Sequence, residues 1–163
     1  KLDKTHDNMS RVKDIINDKR FLKLKECEHH GITRFEHSLK VSYKSYKYAK
    51  KHGLNYKEVA VGGLLHDFFN DKNYGFKKRL VSTFTHPNKA AYNAVNTFNV
   101  NKKEKDIIKS HMFPLNLNIP HCKESWVVSL YDKKVAVSEL VSKLGFKIQH
   151  ICNIVLLLLF NFI

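Results

Sequence analysis

The chain is poor in cysteine, proline and glycine, and each scarcity argues against a class of fold. Its three cysteines, Cys27, Cys122 and Cys152, lie far apart and form no C-x-x-C pair. This spacing argues against a disulfide framework or a zinc knuckle, and it favours a reducing cytoplasm. Only three prolines and six glycines interrupt the 163 residues, and strand-like alternation is scarce. The sequence therefore favours helices over sheets.

No apolar run reaches the length of a membrane span. The most apolar stretch, IVLLLLFNFI over 154–163, falls short of the roughly 20 residues that a bilayer requires. We expect a helix over 146–163 that closes the core, in preference to a membrane or partner contact. The first residues, KLDKTH, also lack the apolar centre of a signal peptide. The expected location is cytoplasmic.

Acidic residues are few relative to basic ones, and the imbalance favours anionic partners. The chain has 29 Lys and Arg against 15 Asp and Glu, for a formal net charge of +14. Charge alone leaves nucleic acid, a phosphorylated metabolite and simple solubility as explanations. The lysines are spread over nearly every segment, which fits a solvated surface. The distribution therefore argues against a dedicated nucleic-acid interface.

Apolar periodicity predicts an all-α, single-domain bundle of six or seven helices over residues 1–163. Ser10 is the expected N-cap of a first helix within 1–26, and Thr33 with Glu36 forms a capping-box pattern before the second. Gly53 suits the end of that second helix, and Pro87 suits the first turn of a later one. The predicted helices are 10–25, 33–52, 55–70, 87–98, 102–111, 124–144 and 146–163.

Two long connections separate the predicted helices. Residues 71–85 are polar and contain a glycine, so they are expected to form a lid-like connection. Residues 113–122 hold two prolines and are expected to form a loop. We expect these two connections to form the walls of the substrate pocket.

One apolar run ends in two ionisable residues. The segment from Val59 to Leu65 contains only small and apolar residues, and it leads directly into His66 and Asp67. An ionised carboxylate is very costly in a core without a partner. We therefore expect a cation beside Asp67.

Further histidines and carboxylates occur on the other predicted helices, mostly on inward faces. Inward side chains on facing helices build the metal sites of bundles. Imidazoles and carboxylates without thiolates suit iron, manganese or zinc better than calcium or a structural zinc site. Each single histidine has the alternative interpretation of a hydrogen-bonded core residue, because the chain contains ten. The candidate ligands are His37, His66, Asp67, His86, His111 and Asp132.

The order of these residues over about 29–140 resembles the HD-domain superfamily of metal-dependent phosphohydrolases. The segment RFEHS at 34–38 resembles the family's R-x-x-H-S opening, and GGLLHD at 62–67 resembles A-x-L-L-H-D with glycines for alanines. SLYDK at 129–133 is similar to the late helix that bears an Asp. THP at 85–87 and KSHM at 109–112 resemble the extra histidines of a small bacterial subgroup of binuclear HD hydrolases. A Gly-Tyr-Pro triplet is missing, which argues against the HD-GYP branch.

The resemblance implies an HD-type bundle with two divalent transition-metal ions. These are iron, manganese or zinc, with magnesium or nickel as alternatives. It further implies that a metal-activated hydroxide cleaves a phosphomonoester or phosphodiester of a nucleotide or another small phosphorylated metabolite. Asp67 would be the catalytic residue that bridges both ions. The other ligands would divide into His37, His66 and Asp132 on one ion, and His86 and His111 on the other.

Three residues are candidates for substrate binding. Arg34 lies one turn before His37 and could reach a phosphate oxygen, while Asp71 and Lys72 follow the predicted end of the doublet helix. Three alternative functions stay open at the level of sequence. They are a non-catalytic HD module that senses nucleotides or binds a partner, a nucleic-acid binder, and a di-iron oxygenase.

Overall fold

A computed structural model describes residues 3–29, 32–69 and 76–160. Within these ranges the regular secondary structure is helical apart from one pair of two-residue strands, so the predicted all-α fold is confirmed. The seven helices of this part also match the expected number. The elements are α1 (Asp3–Asn17), α2 (Lys19–Leu22), a 3-10 turn (Lys23–Glu26), β1 (Glu28–His29) paired antiparallel with β2 (Ile32–Thr33), α3 (Arg34–Lys51), α4 (Tyr56–Leu65), α5 (Phe76–Phe98), α6 (Lys102–Ser110) and α7 (Lys123–Phe160).

The N-terminal segment is helical, but its predicted boundaries are wrong. Ser10 lies inside α1 and is not its N-cap. The helix ends at Asn17 because the next residue, Asp18, accepts a hydrogen bond from the backbone N–H of Arg20 and starts α2. A carboxylate in this position satisfies a backbone donor that a helix start would leave unpaired.

The predicted capping box at the start of α3 is confirmed. The hydroxyl of Thr33 accepts the backbone N–H of Glu36 at 3.2 Å, and the Glu36 carboxylate accepts the backbone N–H of Thr33 at 3.0 Å. His52 caps the C-terminus, and Gly53 follows with a φ of 65°. The box determines where α3 begins, and therefore places His37 in its first turn, facing the bundle interior.

Two glycines let α4 approach its neighbours closely. A Cβ added at Gly63 would lie 3.0 Å from the Cα of Ser42 in α3, and one at Gly62 would lie 2.5 Å from Cγ2 of Ile107 in α6. The hydroxyl of Ser42 also donates to the carbonyl of Ala60 at 2.7 Å. The glycines at 62 and 63 therefore bring the end of α4 close to α3 and α6.

We expect Gly62→Ala to destabilise the fold by about 1–3 kcal/mol, because the new methyl overpacks against Ile107. Gly145→Ala is the matched control, since an added Cβ there meets nothing within 4 Å. A helical glycine in open space costs roughly 1 kcal/mol relative to alanine, so this control loses no stability. Urea unfolding of the three proteins measures the difference. Equal unfolding midpoints for Gly62→Ala and the unsubstituted chain would contradict the close packing.

Helix α4 is shorter than predicted. It ends at Leu65 instead of near residue 70, with His66 as its C-cap and Asp67 beyond it. Tight backbone hydrogen bonds then turn the chain, from the N–H of Phe68 to the carbonyl of Leu65 and from the N–H of Phe69 to that of Asp67. Both phenylalanines are buried. Both rings belong to the main hydrophobic cluster, and we attribute the turn after α4 to their burial.

Helix α5 begins earlier than predicted, so the lid prediction is wrong over 76–85. Pro87 lies inside this helix and not in its first turn. Proline removes one backbone donor, but its fixed φ is compatible with helical geometry. Ala90, Ala91 and Ala94 of the same helix are buried in the core. Residues 71–75 of the predicted lid lie outside the described part of the chain, whereas the predicted loop over 113–122 contains no helix or strand before Lys123.

Helix α7 continues through the predicted break at Gly145. The glycine meets nothing within 4 Å of its would-be Cβ, so only its modest intrinsic helix penalty opposes continuation. The predicted closure of the core by this segment is also wrong for 146–151, where every side chain is exposed. Among the described residues, no helix has the length and apolar character needed to cross a membrane.

Candidate metal centre

His37 lies between two carboxylates of α7. Its Nε2 is 3.0 Å from Oδ1 of Asp132, and its Nδ1 is 2.9 Å from Oε2 of Glu139. Burial opposes the imidazolium form of His37, but the hydrogen bond to Asp132 and the charges of Asp67 and Asp132 together outweigh it and raise the pKa of His37. Burial raises the pKa of Asp132, yet the hydrogen bond from His37 and the proximity of His66 hold it well below the usual range. The Asp132 carboxylate is therefore a buried negative charge that positive charge must balance.

His66 directs one ring nitrogen into the centre. Its Nδ1–H donates to the carbonyl of Gly63 at 2.8 Å, which turns Nε2 towards the carboxylates. This buried Nε2 makes no hydrogen bond in the described structure and lies 3.5 Å from Oδ1 of Asp132 and 3.8 Å from Oδ2 of Asp67. Burial lowers the pKa of His66, but the two carboxylates outweigh it and raise the value to about 9. Divalent cations such as zinc are bound by imidazole nitrogen and carboxylate oxygen atoms, so this arrangement suits a divalent cation.

His86 from α5 and His111 from the end of α6 meet on the other side of Asp67. Their Nε2 atoms are 3.1 Å apart, and they lie 3.4 Å and 3.7 Å from Oδ1 of Asp67. The Nδ1–H of His111 donates to the carbonyl of Ile108 at 2.7 Å. Burial and the charge of His66 lower the pKa of His111 to about 3, so its ring is neutral and Nε2 presents a lone pair.

These contacts produce two adjacent donor sets within the described part of the chain. In each set, one ligand atom per residue lies within 4.8 Å of the others. All members are buried, and none is a thiolate. Nitrogen and carboxylate oxygen donors of this kind suit iron, manganese or zinc. The two sets share His66 and consist of His37, His66 and Asp132 in one, and His66, Asp67 and His111 in the other.

Arg34 lies at the edge of this centre, where it binds the backbone of Phe69. Its guanidinium donates to the carbonyl of Phe69 at 2.7 Å and lies 3.9 Å above the Phe69 ring. That ring in turn stacks on His86, with centroids 5.0 Å apart. Arg34 therefore orders the turn after the His-Asp doublet, and its predicted contact with a phosphate stays a prediction. Asp71 and Lys72 lie outside the described residues.

The sequence reasoning did not identify Glu139 as part of the centre. It lies seven residues after Asp132, on the same face of α7 and about two helical turns further along. Besides contacting His37, it accepts a hydrogen bond from Lys40 at 3.2 Å. The spacing of seven between two inward acids was the available signal, because residues seven apart lie on one face of a helix.

Lys133 is a second residue whose position the sequence did not indicate. Its ammonium donates to the carbonyl of His111 at 2.8 Å and to the Ser129 hydroxyl at 2.9 Å. The same hydroxyl donates to the carbonyl of His111 at 2.8 Å. Burial lowers the pKa of Lys133, although Asp132 opposes the shift. Together these contacts tie α7 to the end of α6 and hold the His111 backbone in place.

Comparison with known protein families agrees with this arrangement. A family model described as HD domain matches residues 34–137, which is more than half of the chain. No curated protein and no solved structure shows a significant match. The chain belongs to the HD-domain superfamily of metal-dependent phosphohydrolases, whose members bind divalent metals.

Proposed function

We propose that this chain is a metal-dependent phosphohydrolase that cleaves a phosphomonoester or phosphodiester of a nucleotide or another small phosphorylated metabolite. The observation that carries the proposal is the pair of buried donor sets that share His66. Because Nε2 of His66 can bind only one ion, two divalent ions would be held on either side of Asp67, and we propose iron, manganese or zinc for them. When bound, the ions would neutralise phosphate charge and lower the pKa of a water molecule.

The proposed division of ligands follows the contacts on each side of Asp67. His37, His66 and Asp132 would hold one ion, and His86 and His111 would hold the other. Asp67 would bridge both, because Oδ2 is directed towards His66 and Oδ1 towards His86 and His111. In His37, His66 and His111, Nδ1 is hydrogen-bonded to a carboxylate or a carbonyl. These bonds orient Nε2 towards the centre before any ion arrives.

The substrate would enter where the centre is least covered. The side chains of Asp132 and His86 are 12% and 11% exposed, whereas those of His37 and His66 are fully buried. A phosphate group would therefore approach between α5 and α7. The low exposure of the centre keeps bulk water out, which strengthens electrostatic interactions with the phosphate. The net charge of +14 would raise the local concentration of an anionic substrate.

Metal loading followed by a substrate screen tests this proposal. We expect about two ions per chain by elemental analysis after loading with manganese, iron or zinc. We also expect hydrolysis of members of a panel of nucleotides, phosphorylated metabolites and nitrophenyl phosphate mono- and diesters. Phosphate release reports cleavage of the monoesters, and nitrophenol release reports cleavage of the nitrophenyl esters. Protein stripped by a chelator is the control and should release neither product. A chain that retains no metal after loading would overturn the proposal.

Binding measurements on the same panel separate the alternatives. Nucleotide binding that survives metal removal, together with no hydrolysis by the loaded protein, would identify a non-catalytic sensing module. Oxygen consumption that requires iron would identify an oxygenase instead. Affinity for polynucleotides that falls steeply with salt would identify a nucleic-acid binder.

A further inference from the structure

One face of α7 exposes a row of large apolar side chains. Each of the six leaves 50–61% of its surface open, although such residues are normally buried. We name this row the α7 seam. It consists of Leu130, Val137, Val141, Leu144, Ile148 and Ile151.

The spacing of the seam is that of a coiled coil. From Val137 to Ile151 the steps are four, three, four and three residues, and Leu130 lies one heptad before Val137. At 100° per residue the row is only about 80° wide. Such a narrow seam fits a second helix, whereas a helix lying on a membrane has a broader apolar face. In the sequence the same steps continue to Val155 and Leu158.

The residue types along the seam partly match those of paired helices. Val141 and Ile148 are β-branched and occupy one set of alternate positions, whereas the other set holds Leu130, Val137, Leu144 and Ile151, of which two are leucines. Heptads with β-branched residues at a and leucine at d favour two-stranded coiled coils. Lys134 occupies the heptad position between Leu130 and Val137 and interrupts the apolar seam there. Its ammonium lies 5.3 Å from the centre of the Tyr131 ring.

We propose that a second copy of this chain binds the seam, so that the protein is a homodimer joined through α7. The flanking heptad positions decide between a copy and a different partner, because charges there set partner choice. These positions hold Tyr131, Lys133, Ser138, Leu140, Gly145 and Lys147. Lys133 donates to the carbonyl of His111 and to the Ser129 hydroxyl, so Lys147 is the one charge among these six positions that faces a second helix. Two identical seams therefore meet little like-charge repulsion, and no charge pattern calls for a different helix.

The exposed area approaches what such a dimer needs. Full burial of a valine, leucine or isoleucine side chain is worth about 1.5–3 kcal/mol at roughly 25 cal/mol per Å², which corresponds to about 60–120 Å². Because each of the six side chains is half open or more, two copies of the seam offer on the order of 400–800 Å². Burial of flanking residues such as the exposed Leu140 adds to this area and brings it towards the ~1,000 Å² expected of a specific interface. Glu139 lies on the opposite side of α7, where it contacts His37. Pairing through the seam therefore leaves the metal centre undisturbed.

The test is the solution mass of the full 163-residue chain at micromolar concentration, by sedimentation or light scattering. We expect twice the chain mass of 19.1 kDa. The double substitution Leu144→Glu and Ile148→Glu would bury four charges in each dimer, so the dissociation constant should rise by at least about 100-fold. Both residues are half exposed or more, so the substitutions do not disturb the core.

Phe146→Glu is the matched control, because Phe146 is 78% exposed but lies on the opposite side of α7. This variant should remain dimeric. A monomeric unsubstituted chain would overturn the proposal, and so would a dimer that survives the double substitution or is lost equally in the control. A monomer that binds phosphatidylserine vesicles through the seam would overturn it in favour of a membrane contact. Circular dichroism and metal content, unchanged in all variants, confirm that the fold persists.

Discussion

Replacing Asp67 with asparagine is expected to reduce hydrolysis by the metal-loaded protein at least about 10³-fold, which corresponds to about 4 kcal/mol in the barrier. Asparagine keeps the size of the side chain but removes the charge that would be shared between both ions. His86 and His111 approach Oδ1, and His66 approaches Oδ2. The loss should therefore affect both donor sets, and metal content should fall below one ion per chain.

The control for this substitution is Asp18→Asn. Asp18 caps α2 and binds Arg20, and asparagine is an equally good N-cap. Its hydrolysis and metal content should match those of the unsubstituted chain. If Asp67→Asn kept more than a tenth of the activity with full metal content, Asp67 would not be the bridging ligand.

Removing the Glu139 side chain is expected to weaken metal binding by about 10- to 100-fold. Glu139 contacts Nδ1 of His37, on the side of the ring away from Asp132. It is thus a positioning residue: it orients the ring and makes its other nitrogen a stronger ligand. Glu139→Ala removes both effects, whereas Glu139→Gln keeps an acceptor but loses the charge. We expect metal affinity to rank the unsubstituted chain first, Glu139→Gln second and Glu139→Ala last.

Competition with a chelator measures these affinities, and thermal unfolding of the metal-free proteins is recorded alongside. Lys40→Met is the control, since it removes the other partner of Glu139 but keeps the contact with His37. It should leave metal affinity nearly unchanged. Equal affinities for Glu139→Ala and the unsubstituted chain, with only a lower unfolding temperature, would show a purely structural role.

Local patterns predicted the start of α3 correctly. The Thr33 and Glu36 pair satisfies backbone donors within one turn, so no distant residue is needed to form it. The spacing of one turn between His37 and the apolar Val41 predicted that His37 lies on the inward face, and both residues are buried. His66 and Asp67 were also predicted as a buried pair, because the apolar run before them leads into the core.

Local patterns failed where a weak signal was taken for a boundary. Pro87 and Gly145 are compatible with helical geometry at a modest cost, and both α5 and α7 continue through them. The doublet was predicted inside a helix, but the burial of Phe68 and Phe69 turns the chain directly after Leu65. Helix ends of this kind depend on where neighbouring elements leave room for side chains in the core, and the sequence of a single helix does not determine this.

By itself the sequence determined the helical class, the capping box of α3 and the six candidate ligands, because periodicity and residue type are local properties. The tertiary structure decided which of these candidate ligands lie close to one another. The contact between His86 and His111 depends on the packing of α5 against α6, and the role of Glu139 depends on how α7 crosses α3. The seam on α7 became visible only when those residues proved to lie outside the core, since the same apolar spacing also describes a buried helix.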